Sequence, residues 1–301
     1  MRLPSTKQLQ YFVALAEAEH FGRAAEASFV SQSAFSNAIK ELESLLDVQL
    51  VDRTRRSVTI TTIGQQVAVQ ARLCLRDVQA LVELARGQQQ PMSGELHLGV
   101  IPTIAPFLLP NVLPKLRDAY PDIQLYLYEE QTQRIYERLM DGELDLILLA
   151  LPYDLGGVEV LPLFRDRFAL AYREGTERVD PDHYRYSRLD ADSVLLLEDG
   201  HCLRDHALDA CKIRNTQKIR RIAANSVLTL IEMVDADLGV TFLPEMAADS
   251  ALLGSTHVRL KPLGKSSYRT IGLAWRKGSG RADDFRTIGK FITENRQSGN
   301  S

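Results

Sequence analysis

The stretch from Thr62 to about Gln90 constrains this chain most. Ile63, Val67, Gln70, Cys74, Val78, Leu81 and Ala85 recur at spacings of three and four. That is a long helix with one apolar seam, and such a seam wants a partner helix. Gly87, three glutamines and Pro91 close the stretch and mark a hinge. The 301 residues therefore divide into a small head at 1–61, a linker and dimerisation helix with its hinge at 62–92, and a larger domain at 93–301. Cys74 lies on the seam and reads as a small core residue.

The head reads as helices. Leu9, Phe12, Val13, Leu15 and Ala16 recur at helical spacing between Thr6 and His20, with Thr6 placed to cap the first turn. A short helix fits Phe21 to Ser28, and a third begins near Ser31. Phe35, Ala38, Ile39, Leu42, Leu45 and Leu46 form the buried stripe of that third helix. Gln32, Ser33, Ser36, Asn37 and Lys40 are left on its outer side. Leu50-Val51 and Val58-Thr59-Ile60 then read as two short strands around Arg53, Arg55 and Arg56. This is the pattern of a winged helix-turn-helix: the outer helix face reads base edges in the major groove while the arginines lie along phosphates. The alternative is an ordinary three-helix core beside a solvated charge run, and the pattern alone allows both.

After Ser93 strands and helices alternate. Strands are expected at Glu95 to Ile101, Ile123 to Tyr128, Leu144 to Leu149, Phe168 to Tyr172, Val194 to Leu197, Val240 to Leu243 and Thr270 to Trp275. The texture is that of an α/β domain with ligand sites where loops leave the strand ends. Ile101-Pro102-Thr103 is such an exit, expected to put the Thr103 hydroxyl at a helix N-terminus.

Cys202 and Cys211 stand nine positions apart in GHCLRDHALDAC. On one continuous helix they would lie about 13 Å apart on opposite faces. Bonded cysteines need Cα atoms within about 7 Å, so a disulfide here demands that the helix unwind. His201, Arg204, Asp205 and His206 make a polar setting for a packing cysteine. Three cysteines, 45% hydrophobic and 25% charged residues fit a soluble cytoplasmic protein. MRLPSTKQLQ carries no signal-peptide run, and the longest apolar stretch, Leu144 to Leu151, is too short to span a bilayer. A net charge of −3 gives no whole-chain sign of nucleic acid, so the basic residues of the head matter through their clustering.

The residues Phe21-Gly22-Arg23-Ala24-Ala25-Glu26, Val30-Ser31-Gln32 with Ser36, Leu50-Val51-Asp52-Arg53 and Thr61-Thr62-Ile63-Gly64 resemble the DNA-binding domain of LysR-type transcriptional regulators. Gly99 to Thr103, Pro106 with Leu108-Leu109-Pro110, Leu197 to Asp205 and Arg269 to Leu273 resemble the hydrogen-peroxide-sensing members of that family. Ser33 departs from the proline that many members place at the start of the third helix, which a helix can do without. The resemblance implies a fold of two α/β subdomains, periplasmic-binding-protein-like, behind an otherwise all-α winged head and a linker helix. It implies that Cys202 is the peroxide-reactive cysteine and Cys211 its resolving partner, beside a peroxide site drawn from Thr103, Thr132, His201, Asp205 and Arg269. The implied partners are double-stranded DNA, hydrogen peroxide, further copies in a homodimer or homotetramer, RNA polymerase and a cellular thiol reductant, with no cofactor, metal or membrane. The chemistry asks for a cation to favour the thiolate, as Arg269 could, and a donor for the leaving oxygen, as the Thr103 hydroxyl or a water could be.

Three other readings compete. The effector domain could receive a small metabolite, with inert cysteines. The chain could be a thiol peroxidase whose N-terminal helices only dimerise. His201, Cys202, His206 and Cys211 could hold a metal, although on one helix these four cannot converge.

Overall fold

The structure, a computed structural model, describes residues 3–53, 58–85, 91–186, 189, 193–198, 202–210, 223–264 and 266–296. They form two compact units whose main boundary falls at Pro91.

The first unit begins with α1 (Thr6–Ala18), α2 (Phe21–Ala27) and α3 (Gln32–Leu46). Ser5, rather than Thr6, caps α1. Its hydroxyl accepts from the Gln8 amide at 3.2 Å, and the Gln8 side chain accepts from the Ser5 amide at 3.0 Å. That reciprocal box needs a glutamine three residues on, and only Ser5 has one. Phe12, Leu15, Phe35, Ile39 and Leu42 are fully buried in the core between the helices. β1 (Val51–Arg53) and β2 (Val58–Ile60) pair antiparallel and form the wing.

The helix that follows, α4 (Thr62–Ala85), packs on α1. Its buried positions are Gly64, Ala68 and Ala71, small residues that allow close approach. A Cβ on Gly64 would meet the Leu50 carbonyl oxygen at 2.2 Å, so only glycine fits where α4 leaves the wing. This buried line is offset by one residue from the apolar seam. Ile63, Val78 and Leu81 are therefore exposed on the single chain, and so is Cys74. Cys74 is not a core residue.

The second unit is built on a mixed seven-stranded sheet. β3 (Gly94–Val100) lies between β4 (Ile123–Glu129) and β5 (Leu146–Leu151), parallel to both. β9 (Tyr268–Arg276) returns antiparallel between β5 and the 16-residue β6 (Val158–Arg173). The far half of β6 carries β7 (Thr241–Pro244) and β8 (Val258–Pro262). Two separate cores result. One packs β3, β5 and β9 against α5 (Ala105–Ala119), α6 (Thr132–Met140) and α10 (Ala282–Asn295). The other gathers Phe168, Leu170, Leu195, Phe242 and Leu243 with α7 (Cys202–Ala210), α8 (Val227–Asp235) and α9 (Ala251–Gly254). The unit is thus two α/β subdomains joined through long shared strands, as the resemblance implies.

Two strands differ from expectation. β6 starts ten residues before Phe168, because a register shift between Pro162 and Phe164 lets the ladder run past the proline. Val194 to Leu197 makes isolated parallel bridges, to Val240 and Ala224, in place of a strand. Among the described residues no helix is long and apolar enough to cross a membrane, and no group of three His, Cys, Asp or Glu could hold a metal ion.

Candidate DNA-reading face and redox-sensing edge

The reading face is assembled from neighbours in sequence. His20 Nδ1 accepts from the amides of Gly22 and Arg23 at 3.1 and 3.2 Å, fixing the start of α2. Ser31 caps α3 on the Ala34 amide. With Phe35, Ile39 and Leu42 buried, Gln32, Ser33, Asn37 and Lys40 are exposed and Ser36 is half-buried. Ser33 bonds the Ser31 hydroxyl at 3.1 Å. The wing is tied to α3 by Glu43, whose Oε1 accepts from the Leu50 and Val51 amides at 2.9 and 3.1 Å. Charge patterning marks Glu43 only as one more acid on a polar face, so sequence reasoning missed this brace. Arg53 closes β1 opposite Val58, though its side chain is outside the description. Arg55 and Arg56 lie outside the described residues.

The candidate sensing edge is assembled from residues far apart. β3, β4 and β5 run parallel, so the chain leaves all three at one edge of the sheet, the usual place for a ligand in such folds. Thr103 follows β3, and Thr132 opens α6 just after β4. A bond from the Glu130 amide to the Val100 carbonyl holds these two exits side by side. α7 is tied to the exit of β5, where His206 Nε2 lies 3.3 Å from the Pro152 carbonyl. β9 enters at the same edge, with Thr270 opposite Leu151 and Arg269 beside it.

Arg269 is the hub. Its side chain is fully buried, and its Nε donates to Asp166 Oδ2 at 3.0 Å. Nη1 donates to the Thr103 hydroxyl at 2.9 Å and Nη2 to the Thr103 carbonyl at 2.8 Å. Asp166 sits directly opposite Arg269 in the β6–β9 ladder, and its other oxygen accepts from the Met246 amide at 3.3 Å. Burial pushes the Asp166 carboxyl up from its ordinary value, and the Arg269 guanidinium works against that push.

Two consequences follow for the chemistry. The Arg269 charge is balanced by Asp166, a partner 103 residues away in sequence that no local pattern announces. The Thr103 hydroxyl accepts from Arg269, which leaves its own proton to donate elsewhere, and no acceptor for it stands among the described residues. Thr103 stands at the N-terminus of a helix, two residues before α5 begins at Ala105, while Ile104 holds the cap position and no side chain caps the first turn.

Thr103 and Thr132 are both buried. Cys202 is the first residue of α7, whose nine residues rise about 12 Å from Cys202 to Ala210. The side chains of Cys202 and Asp205 are outside the description, and His201 and Cys211 lie wholly outside the described residues. The structure thus joins Thr103 to Arg269 and brings Thr132 and α7 to the same edge.

Comparison with known proteins agrees with this architecture. Residues 6–65 match the family of bacterial regulatory helix-turn-helix proteins of the lysR type, and residues 89–297 match the LysR substrate binding domain. The HTH-type transcriptional regulator EstR of Acinetobacter baylyi is 42% identical over 287 residues, 95% of each chain. The DNA-binding transcriptional dual regulator OxyR of Escherichia coli is 39% identical over 286 residues, 95% of this chain and 94% of that one. Among solved structures, a full-length OxyR variant from Pseudomonas aeruginosa superposes with a TM-score of 0.80 at 31% identity, covering 100% of both chains. A two-part match over both units, with relatives of near-equal length, places the chain in the LysR family of DNA-binding transcriptional regulators.

Proposed function

We propose that this regulator senses hydrogen peroxide through Cys202 and is switched by a Cys202–Cys211 disulfide. The Cys202 thiolate attacks one peroxide oxygen. The O–O bond breaks, the cysteine becomes a sulfenic acid, and the departing hydroxide takes a proton to leave as water. Attack by the Cys211 thiol then expels a second water and closes the disulfide. A cellular thiol reductant supplies the two electrons that reset it.

The observation that carries the reading is the Arg269–Thr103 arrangement. It presents a hydroxyl whose own proton is left to donate, beside a guanidinium of which two N–H groups have no acceptor among the described residues. The first suits the leaving oxygen, the second the thiolate, and Thr132, His201 and Asp205 complete the site. Because α7 holds Cys202 at one end of a helix, closing the disulfide requires that helix to unwind.

At the other end of the chain, Gln32, Ser33, Ser36, Asn37 and Lys40 read base edges and Arg53, Arg55 and Arg56 follow phosphates. The exposed seam of α4 pairs two copies, so that two heads meet two half-sites, and pairing of such dimers gives a homotetramer. We place the domain limits at 1–61, 62–92 and 93–301. The protein works in the cytoplasm, activating genes through RNA polymerase, without enzymatic turnover or a bound cofactor.

EstR, a relative at 42% identity, is named as a transcriptional regulator and not as a peroxide sensor, and a second reading has the effector domain answer a metabolite while the cysteines are inert. Mass spectrometry after brief exposure to one equivalent of peroxide separates the two. The peroxide reading expects a Cys202–Cys211 crosslink in most of the chains, and unmodified thiols would favour the other.

A further inference from the structure

The wing is too small to hold its own place. β1 and β2 pair over three positions, Val51 with Ile60, Asp52 with Thr59 and Arg53 with Val58. A lone two-stranded hairpin is marginal at best in water, so contacts at its root must set its direction. At that root Leu50, Val51 and Ile60 are buried.

Three elements meet there. From α3, Glu43 Oε1 accepts from the Leu50 and Val51 amides at 2.9 and 3.1 Å. At the turn into α4, the Thr61 amide donates to the Leu50 carbonyl at 3.0 Å. The Thr61 hydroxyl donates to the Gln49 carbonyl at 2.9 Å and accepts from the Gly64 amide at 3.0 Å. Within the root, Gln49 Nε2 donates to the Val51 carbonyl at 3.1 Å and to Asp52 Oδ1 at 2.9 Å. Among these bonds, the two of Glu43 are the ones that reach the wing from the reading helix.

Glu43 stands three residues after Lys40 and seven after Ser36, so it continues the face that those residues present. An acid on a face that meets DNA repels phosphates. This one is half-buried and has two backbone amides on a single oxygen.

We propose that Glu43 is a positioning residue for DNA binding: its carboxylate fixes the wing at a set angle to α3, so that helix and wing engage one duplex as a single body. The proposal rests on the reading that Arg53, Arg55 and Arg56 follow phosphates. With the root locked, the wing's cations are in place when α3 enters the groove, and little freedom is lost in ordering them. With the root loose, fewer phosphates are neutralised and fewer counterions leave the DNA.

Fluorescence anisotropy of the full-length protein on a labelled mixed-sequence duplex, repeated over a range of salt concentrations, tests the joint. In the wild type, Arg53→Gln should lower the steepness of log affinity against log salt by about one. Glu43→Ala should lower it by about one or more, and in that background Arg53→Gln should add less than about half of its wild-type effect. Glu43→Gln keeps an oxygen that accepts from both amides, so it should return the wild-type steepness and the full Arg53 effect. A role in stability alone would reduce the folded fraction and change neither quantity. Circular dichroism melting checks that each variant is folded, and Glu43→Asp, one carbon too short to keep both bonds, takes the place of Glu43→Ala if that variant does not fold. An unchanged steepness with an undiminished Arg53 effect in Glu43→Ala overturns the positioning role while the wing reading stands. A loss in Glu43→Gln equal to that in Glu43→Ala overturns it as well, because charge and not hydrogen-bond acceptance would then matter. An Arg53→Gln that leaves the wild-type steepness unaltered removes the wing reading and the proposal with it.

Discussion

The reading head and the sensing edge solve the problem of placing functional groups in opposite ways. In the head, Gln32 to Lys40 lie on one helix, exposed, over a stripe of buried Phe35, Ile39 and Leu42. Function and folding use different faces of the same residues' helix, so surface changes can alter DNA binding without touching the core. At the sensing edge, Thr103, Asp166 and Arg269 are buried and come from three separate segments. There, on the proposed function, the bonds that hold the fold also orient the chemistry, and a change in one is a change in both.

Substitutions at matched positions sharpen this contrast. The largest effect is expected from Asp166→Ala, which leaves the Arg269 charge buried without its partner. Stability should fall by about 3–5 kcal/mol in urea unfolding. A loss below about 1 kcal/mol would mean that the pair is not the keystone of the edge. Next comes Gly64→Ala, where the new methyl must displace the Leu50 carbonyl and part α4 from the wing. The expected cost is about 1–3 kcal/mol, with weaker DNA affinity read in the same preparation.

A smaller effect is expected from Thr103→Val, which keeps the shape and removes the hydroxyl. Stopped-flow oxidation of Cys202 should slow about tenfold, the equivalent of roughly 1.4 kcal/mol in the barrier. An unchanged rate would take Thr103 out of the chemistry. Smallest is Asn37→Ala, expected to shift stability by less than about 0.5 kcal/mol while changing which operator sequences are preferred. An equal loss for every sequence would move Asn37 from base reading to simple positioning.

The same contrast explains what the sequence made legible. The apolar stripe of α3, the start of that helix near Ser31 and the strands β3 and β4 are legible from local patterns, and they stand where those patterns put them. Errors arose where a second interaction decides between near-equal options. Ser5 wins over Thr6 because Gln8 completes its box, and the start of β6 hides behind Pro162 until the register shift is seen. Cys74 reads as core only while the seam is taken as the inward face, and α4 turns Ala68 and Ala71 inward instead. The family resemblance pointed to Thr103 and Arg269 but left Asp166 unmarked, because its partner lies across a β-ladder closed over 103 residues.

The central claim is that oxidation at the head of α7 changes the shape of the protein. Its most direct measurement is amide hydrogen exchange over residues 200–215 in the reduced and peroxide-oxidised wild type, with Cys202→Ser as the control that cannot react. The account predicts that oxidation removes protection across α7 and that the control shows no change on peroxide treatment. An oxidised form carrying the Cys202–Cys211 bond with the exchange pattern of the reduced form would contradict it.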